Sequence, residues 1–436
     1  MPKWPRRRAA LVQPLSGAIE VQPPSDAPSG SQEASPAPPS TPPSTLPAAP
    51  PAALPAVPPS SIVVRPNATA MLFMKPGRPH EPVAVPQVRL GPGELLVEIE
   101  FATVCGSDVH TVLGRRSEPA PLVLGHEAVG RVSHTGHAPP SGLDGRPVTV
   151  GDRIVWSVAA HCGACDRCER GLEQKCRELR KYGHVRIGQG WELTGGFATH
   201  AHLLAGTPIV HVDELTPARV LAPIGCGIAT ACAALAAAER TVSCEHASAL
   251  VTGGGLIGLA ATAMLTERGA RVTLCDPDPA RRALAESFGA VRAIAPEELG
   301  APDPDAPGAR PGAPGAQPLA EFDIVLEASG APGAVAAGLD AAAIGAAVVW
   351  VGSVCPSEPI PLAPERIVRV QLTVSGVHNY RPEHLAQAAA FIAEHWQRYP
   401  FAALVGQSYP LGLVDSALTC AAEGREVRVG IDPRLP

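Results

Sequence analysis

Residues 248–276, SALVTGGGLIGLAATAMLTERGARVTLCD, decide the fold of this 436-residue chain. Ser248–Thr252 is an apolar run suited to a buried strand, and Gly253-Gly254-Gly255 breaks it. Leu256 to Arg268 has helical spacing, and RVTLC opens a second strand that ends on Asp276. Strand, glycine turn, helix and strand make one βαβ unit, which implies a parallel sheet. The turn fits G-x-G-x-x-G through Gly253, Gly255 and Gly258, with Leu256 and Ile257 between. Glycines there allow a tight turn and let a pyrophosphate approach the outward-pointing N–H groups of a helix N-terminus. Asp276, 23 residues after Gly253, is placed to accept hydrogen bonds from both hydroxyls of an adenosine ribose. The same carboxylate would repel a 2′-phosphate by roughly 4 kcal/mol per charge pair, at about 4 Å and an effective dielectric near 20, so NAD is expected rather than NADP.

Outward from this unit the rhythm continues. Arg281–Phe288 is helical, and FDIVLEASG, AAVVWVG and LTVSGV supply further strands, so the α/β alternation runs to about residue 376. Upstream, from Ile62 to about Pro223, short strands alternate with Gly/Pro turns. LLVEIEFATV (95–104) suits a half-buried strand, and VGRVSHTG and GDRIVWSV add two more. The last sixty residues open with the helical HLAQAAAFIAEHW and return to short mixed elements. The expected architecture is α/β: a mostly-β domain (62–226) resumed at 377–436, with a doubly wound parallel-sheet domain (227–376) inserted. The first sixty residues hold 17 of the 50 prolines, so 1–61 is expected to be a disordered Pro/Ala-rich tail. The similar stretch at 300–318 is expected to be a disordered insertion.

Thirty-five basic against 41 acidic residues give a net charge of −6 and no basic face, so no nucleic-acid partner is expected. Three glycines interrupt the longest apolar stretch, Ser248–Thr266, which argues against a membrane span. Pro14 breaks the short apolar run near the start, and no secretory cleavage signal follows. Of eleven cysteines, four lie within fifteen residues. Such clustering suits a metal rather than disulfide staples, and implies a reducing, cytoplasmic setting.

Cys162, Cys165, Cys168 and Cys176 follow C-x2-C-x2-C-x7-C. Four thiolates so spaced can close a tetrahedron around one zinc, with no position open for chemistry. An iron–sulfur cluster, or free or disulfide-paired cysteines, are the alternatives. Before this lobe stand Cys105-Gly106-Ser107-Asp108-Val109-His110 and Gly125-His126-Glu127, and after it Ile224-Gly225-Cys226-Gly227. Together these offer two thiolates and an imidazole, which leaves a zinc ion one open position, as a catalytic zinc requires.

In order and spacing, these motifs resemble the zinc-containing medium-chain alcohol dehydrogenases from about Ile62 to Pro436. The resemblance implies a GroES-like catalytic domain, with a structural zinc lobe at 160–180, and an inserted Rossmann domain. It implies two zincs per chain, one on Cys105, His126 and Cys226 and one on the four lobe cysteines. It makes Ser107 the acceptor of the alcohol proton and His110 its exit to solvent, places Glu127 behind the metal, and lets Asp108 orient the His126 ring. It puts Arg281 on the ribose and Thr230 near the nicotinamide, and implies a homodimer or homotetramer. The chain departs from many members at Gly106, where a basic residue touches the cofactor pyrophosphate. KYGH (181–184), GGFATHAHL (195–203) and GVHNYRPEHL (376–385) resemble a subgroup associated with phosphonate catabolism. For such a substrate, Arg115, Arg116, Lys181, Arg186 and His378 are the groups that would bind the acid. The expected function is zinc-dependent oxidation of a small-molecule alcohol, or reduction of the carbonyl, with NAD. A polyol or amino-alcohol dehydrogenase is the alternative, although sorbitol-type relatives tend to carry a carboxylate in place of Cys226. The alternative from another class is a non-catalytic binding protein on the same fold.

Overall fold

The computed structural model describes residues 61–188, 190–299 and 321–436. The expected tail, apart from Ser61, and the 301–318 part of the expected insertion lie outside the described residues, as does Gly300. In the first half, an antiparallel sheet runs in the order Ile209–His211, Arg153–Trp156, Glu127–Thr135 and Leu95–Val104. Two strands from the far end of the chain, Arg428–Asp432 and then Val405–Pro410, extend it beyond Leu95–Val104. The strand Leu95–Val104 is not half-buried as its alternation implied: only Glu98 is exposed and Glu100 partly so. It lies in the middle of the sheet, and its one inward-leaning charge, Glu100, is matched by Arg153 at 2.8 Å and Arg131 at 3.2 Å.

The second half is a parallel sheet of six strands: β1 (Ser248–Thr252), β2 (Arg271–Cys275), β3 (Arg292–Ile294), β4 (Phe322–Glu327), β5 (Ala342–Trp350) and β6 (Thr373–Gly376). Their order is 3-2-1-4-5-6, with every pair parallel, which is the doubly wound arrangement that receives dinucleotides at its switch point. The central strand β1 has Ala249, Leu250 and Val251 fully buried, as helices on both faces of a parallel sheet demand. The helix Pro279–Ser287 starts where Pro279 takes the first position and Asp278 caps it, its carboxylate accepting from the Ala280 N–H at 2.8 Å.

The joint between the halves is the helix Gly227–Ala238, buried along its length except at Ala236, which packs on the helices Leu256–Glu267 and Pro382–His395. No single helix among the described residues is long and apolar enough to cross a membrane; only the pair Ala218–Gly225 and Gly227–Ala238, bent by 52°, passes by length and composition.

At the first turn, Gly253 adopts φ +101°, and a Cβ on Gly258 would stand 1.9 Å from the Gly253 carbonyl oxygen. A backbone carbonyl cannot yield as a side-chain tip does. Gly258→Ala is therefore expected to cost about 1–3 kcal/mol or more and to abolish tight NADH binding. Thermal unfolding together with a fluorescence titration of NADH checks this, and wild-type affinity in a folded variant would refute it.

Candidate active site

Cys105 follows the strand Leu95–Val104 and caps the short helix Gly106–Val112. Asp108, wholly buried, accepts the Cys105 N–H on Oδ2 at 2.9 Å and the Gly125 N–H on Oδ1 at 3.2 Å. One carboxylate thus ties two separate turns together. Gly125 has φ +86°, and a Cβ there would fall 2.6 Å from the Phe197 ring, so only glycine delivers His126 inward at this point. The His126 Nδ1 lies 3.5 Å from Asp108 Oδ1, and its Nε2 lies 3.4 Å from Ser107 Oγ. Cys226 arrives from the other side, between the 3₁₀ turn Ala222–Gly225 and the helix Gly227–Ala238. Donor atoms of Cys105, His126, Glu127 and Cys226 all fall within 4.8 Å of one another.

The electrostatics of this group fit a cation. A hydrogen bond from Cys226 drives the Cys105 thiol well below its ordinary range, against burial and with help from Arg428 and His126. The same contact and burial hold Cys226 well above it. Burial disfavours charge on His126, yet Asp108 and Cys105 outweigh it and push the ring up to about 10. Two sulfurs and an imidazole compressed into one buried space compete for protons. A borderline-soft divalent ion such as zinc relieves that competition, since thiolate and neutral imidazole are its preferred donors.

Glu127 is fully buried and faces Arg428, which donates to it from Nε at 2.8 Å and Nη2 at 3.0 Å, while Thr103 Oγ1 donates at 2.6 Å. Burial still pushes the Glu127 carboxyl up despite that partner. Arg428 also reaches to 3.8 Å from Cys105 Sγ. Sequence reasoning missed Arg428, because a single arginine in a terminal strand carries no local signature. Ser107 and His110 share one face of their helix, one turn apart. No hydrogen bond among the described residues joins their side chains, and His110 Nδ1 is buried without a partner. His184 was also missed. Its ring lies 4.9 Å from that of His126, and its Nδ1 bonds Glu118 Oε1 at 3.0 Å.

The four lobe sulfurs also converge. The contacts are 4.0 Å for Cys162–Cys168, 3.6 Å for Cys165–Cys168, 3.9 Å for Cys165–Cys176 and 3.4 Å for Cys176–Cys162. A tetrahedron with metal–sulfur bonds of about 2.3 Å has edges of about 3.8 Å. These spacings suit a single ion and are far too long for a disulfide. The Cys176 sulfur also accepts the N–H of Cys162 and that of Glu178, each at 3.3 Å, so two backbone donors orient it.

At the glycine turn, a Cβ on Gly255 would meet nothing within 4 Å, which leaves the space a pyrophosphate requires. Asp276 Oδ2 accepts the Gly254 N–H at 2.6 Å, so the carboxylate is locked against the turn at the end of β2. Leu256 is buried and Ile257 half-buried; a Cβ on Gly227 would meet the Leu256 side chain at 2.4 Å, so Leu256 packs the turn onto the helix that follows Cys226. Thr230 Oγ1 donates to the Cys226 carbonyl at 2.8 Å, one turn along that helix. The Arg281 guanidinium points elsewhere: it donates to the carbonyls of Gly424 at 3.0 Å and Glu426 at 2.7 Å, with Nη1 buried and unpartnered.

Against known proteins, the alcohol dehydrogenase GroES-like domain family matches residues 91–214, and the zinc-binding dehydrogenase family matches 257–394. The chain is 29% identical over 360 residues to 5-exo-hydroxycamphor dehydrogenase of Pseudomonas putida, covering 80% of this chain and 95% of that protein. It is 30% identical over 322 residues to L-threonine 3-dehydrogenase of Idiomarina loihiensis, covering 72% and 84% respectively. An alcohol dehydrogenase structure from Thermotoga maritima superposes with a TM-score of 0.75 at 27% identity, over 84% of this chain and 99% of that one. The reading as a non-catalytic binding protein gives way to these matches. With both halves matched and both donor clusters assembled, the chain belongs to the zinc-dependent medium-chain alcohol dehydrogenases, oxidoreductases that act on a CH–OH group with a nicotinamide dinucleotide.

Proposed function

We propose that this enzyme oxidises an alcohol, or reduces the corresponding carbonyl, with NAD, and that its substrate carries a phosphonate or a similar acid group. The observation that carries the first part is the convergence of Cys105, His126 and Cys226, with the helix after Cys226 packed directly on the glycine turn. Zinc at that centre supplies Lewis acidity toward the reacting oxygen. Ser107 takes the hydroxyl proton and His110 passes it to solvent. Asp108 fixes the His126 ring, and Arg428 holds Glu127 behind the three donors. Gly253, Gly255 and Gly258 receive the pyrophosphate, with Leu256 and Ile257 shaping the turn. Asp276 takes the ribose hydroxyls, which favours NAD over NADP. Thr230 lines the nicotinamide end. Arg281 reaches the ribose by leaving the Gly424 and Glu426 carbonyls.

Support for the acid group comes from Lys181, a largely buried amine whose ordinary basicity is lowered by burial and by Arg116, and which feels the sulfurs of Cys226 and Cys105. Arg116 binds Glu118 at 2.6 Å. His378 is held down to about 4 by burial and by Lys175, Lys181 and Arg116, so it acts there as a neutral hydrogen-bonding group rather than a cation. Arg115 and Arg186 are exposed. A polyol or amino-alcohol substrate is the second reading, favoured by the threonine dehydrogenase relative. Assaying NAD and NADP reduction with simple alcohols, polyols, threonine and hydroxyalkylphosphonates tests all of this. Activity on none of them overturns the alcohol reading. Equal rates on phosphonates and simple alcohols overturn only the acid-group part. Lys181→Met is expected to raise KM for a phosphonate substrate by about 10–100-fold, the worth of a charge-assisted contact, and to leave simple alcohols unchanged.

The domain limits are 62–226, 227–376 and 377–436. The cysteine spacing supports a cytoplasmic setting. A homodimer or homotetramer is supported by the position of β6 at the end of its sheet and by the exposure of Val354 and Val368.

A further inference from the structure

Cys226 (φ −135°, ψ −85°) joins the 3₁₀ turn Ala222–Gly225 to the helix Gly227–Ala238, so whatever holds that turn places its sulfur. Two contacts do this. A Cβ on Gly225 would stand 2.5 Å from the Trp156 carbonyl, so this turn presses directly on a strand. The Gly225 carbonyl also accepts a hydrogen bond from the Tyr380 hydroxyl, and that hydroxyl accepts the Val158 N–H at 3.1 Å. Tyr380 is 4% exposed, so both backbone groups would lose this partner in a place water does not readily reach if the hydroxyl were removed.

Tyr380 is itself anchored on either side. His378 Nδ1 lies 2.6 Å from Lys175 Nζ, and Arg381 pairs with Glu173 at 3.3 Å. Both partners belong to the loop between Cys168 and Cys176. The segment His378–Arg381 is therefore tied to the four-cysteine lobe at both ends, and Tyr380 within it reaches the turn before Cys226.

We propose that Tyr380 is a positioning residue for the catalytic metal site: its hydroxyl fixes the Gly225 carbonyl, and so sets where the Cys226 sulfur stands relative to Cys105 and His126. The lobe, which does no chemistry, thereby contributes to the order of the catalytic centre. This rests on Cys226 being a zinc ligand, and that premise fails separately: it is wrong if Cys226→Ser keeps two zincs per chain.

The test is Tyr380→Phe in the zinc-loaded enzyme, which removes one oxygen and keeps the ring. Release of each zinc to a chromophoric chelator is followed under native conditions, and the absorption spectrum is recorded after cobalt replaces the catalytic zinc. Outer-shell partners of metal ligands are worth about 10–100-fold in metal affinity, so catalytic zinc is expected to leave about 10–100-fold faster, with a shifted cobalt–thiolate band and unchanged lobe zinc. Tyr399→Phe, which loses a hydroxyl bond to Glu267, neither residue belonging to a donor cluster, is expected to lower thermal stability with neither metal readout moving. Arg381→Gln leaves the hydroxyl in place and removes one of the two ties between its segment and the lobe, keeping the His378–Lys175 contact. It is expected to give a smaller change in the same direction, and it keeps the test open if Tyr380→Phe does not fold. Unchanged zinc release and an unchanged cobalt spectrum in the folded variants overturn the proposal, as does an equal change in Tyr399→Phe.

Discussion

Replacing Cys105 with serine is expected to reduce zinc from two to one per chain and to lower kcat/KM by on the order of 10³-fold or more, since Lewis acidity toward the reacting oxygen is worth several kcal/mol. A serine hydroxyl does not ionise near neutrality, so it cannot replace a thiol that Cys226, Arg428 and His126 hold well below its ordinary range. The remaining pair, His126 and Cys226, offers too few donors to retain zinc against a chelator. The lobe should be untouched, because its sulfurs form a separate group. Cys168→Ser is the contrast: it too should leave one zinc, but the expected damage is to the fold around residues 160–180, seen as new proteolytic cleavage there. Metal analysis and steady-state NADH formation read both variants. Two zincs and activity within tenfold of wild type in Cys105→Ser would remove Cys105 from the ligand set.

Arg428→Met carries the second large effect, this time on stability. Among the described residues, Arg428 makes two of the three side-chain hydrogen bonds to the fully buried Glu127 carboxylate, and Thr103 makes the third. Breaking one side of a buried ion pair typically costs about 3–5 kcal/mol, because the surviving charge has lost both water and partner. The cost depends on pH in a definite sense. Burial already raises the Glu127 carboxyl above 4.5, and losing the guanidinium raises it further. A carboxyl raised on folding destabilises above its unfolded value, so the deficit grows as pH climbs from about 4.5 toward the folded value and is smallest in acid. Unfolding of the zinc-loaded variant at about pH 5 and pH 8 should show that trend, and the double variant Glu127→Gln/Arg428→Met should regain most of the loss. A deficit independent of pH, or no recovery in the double variant, would show that Arg428 acts only through packing.

The residues most legible in the sequence were those whose chemistry is local. The C-x2-C-x2-C-x7-C spacing is nearly a description of the lobe, because the ligands lie on one short loop. Gly253 and Gly258 mark a turn that a Cβ would obstruct, Gly255 leaves open space beside it, and Asp276 falls where the next strand must end. The helix expected to begin at Arg281 starts two residues earlier, at Pro279, because Asp278 caps it. The strand Leu95–Val104 reads as half-buried from its alternation, but the helices Ala218–Leu221 and Val414–Glu423 and the turn Ala222–Gly225 pack on it, leaving only Glu98 exposed and Glu100 partly so. The reach of Arg281 to the Gly424 and Glu426 carbonyls is invisible in the chain, since those atoms belong to a loop some 143–145 residues away.

The sequence alone determined the elements: a parallel sheet with a glycine turn, a mostly-β half around it, and two sets of soft donors at recognisable spacing. Only the tertiary structure decided what stands behind those donors. Arg428 meets Glu127 across 301 positions of chain, and Tyr380 meets Gly225 across 155. Such contacts have no local pattern because they satisfy charges and backbone groups that become buried only when distant segments pack, and the demand for a partner arises with that burial.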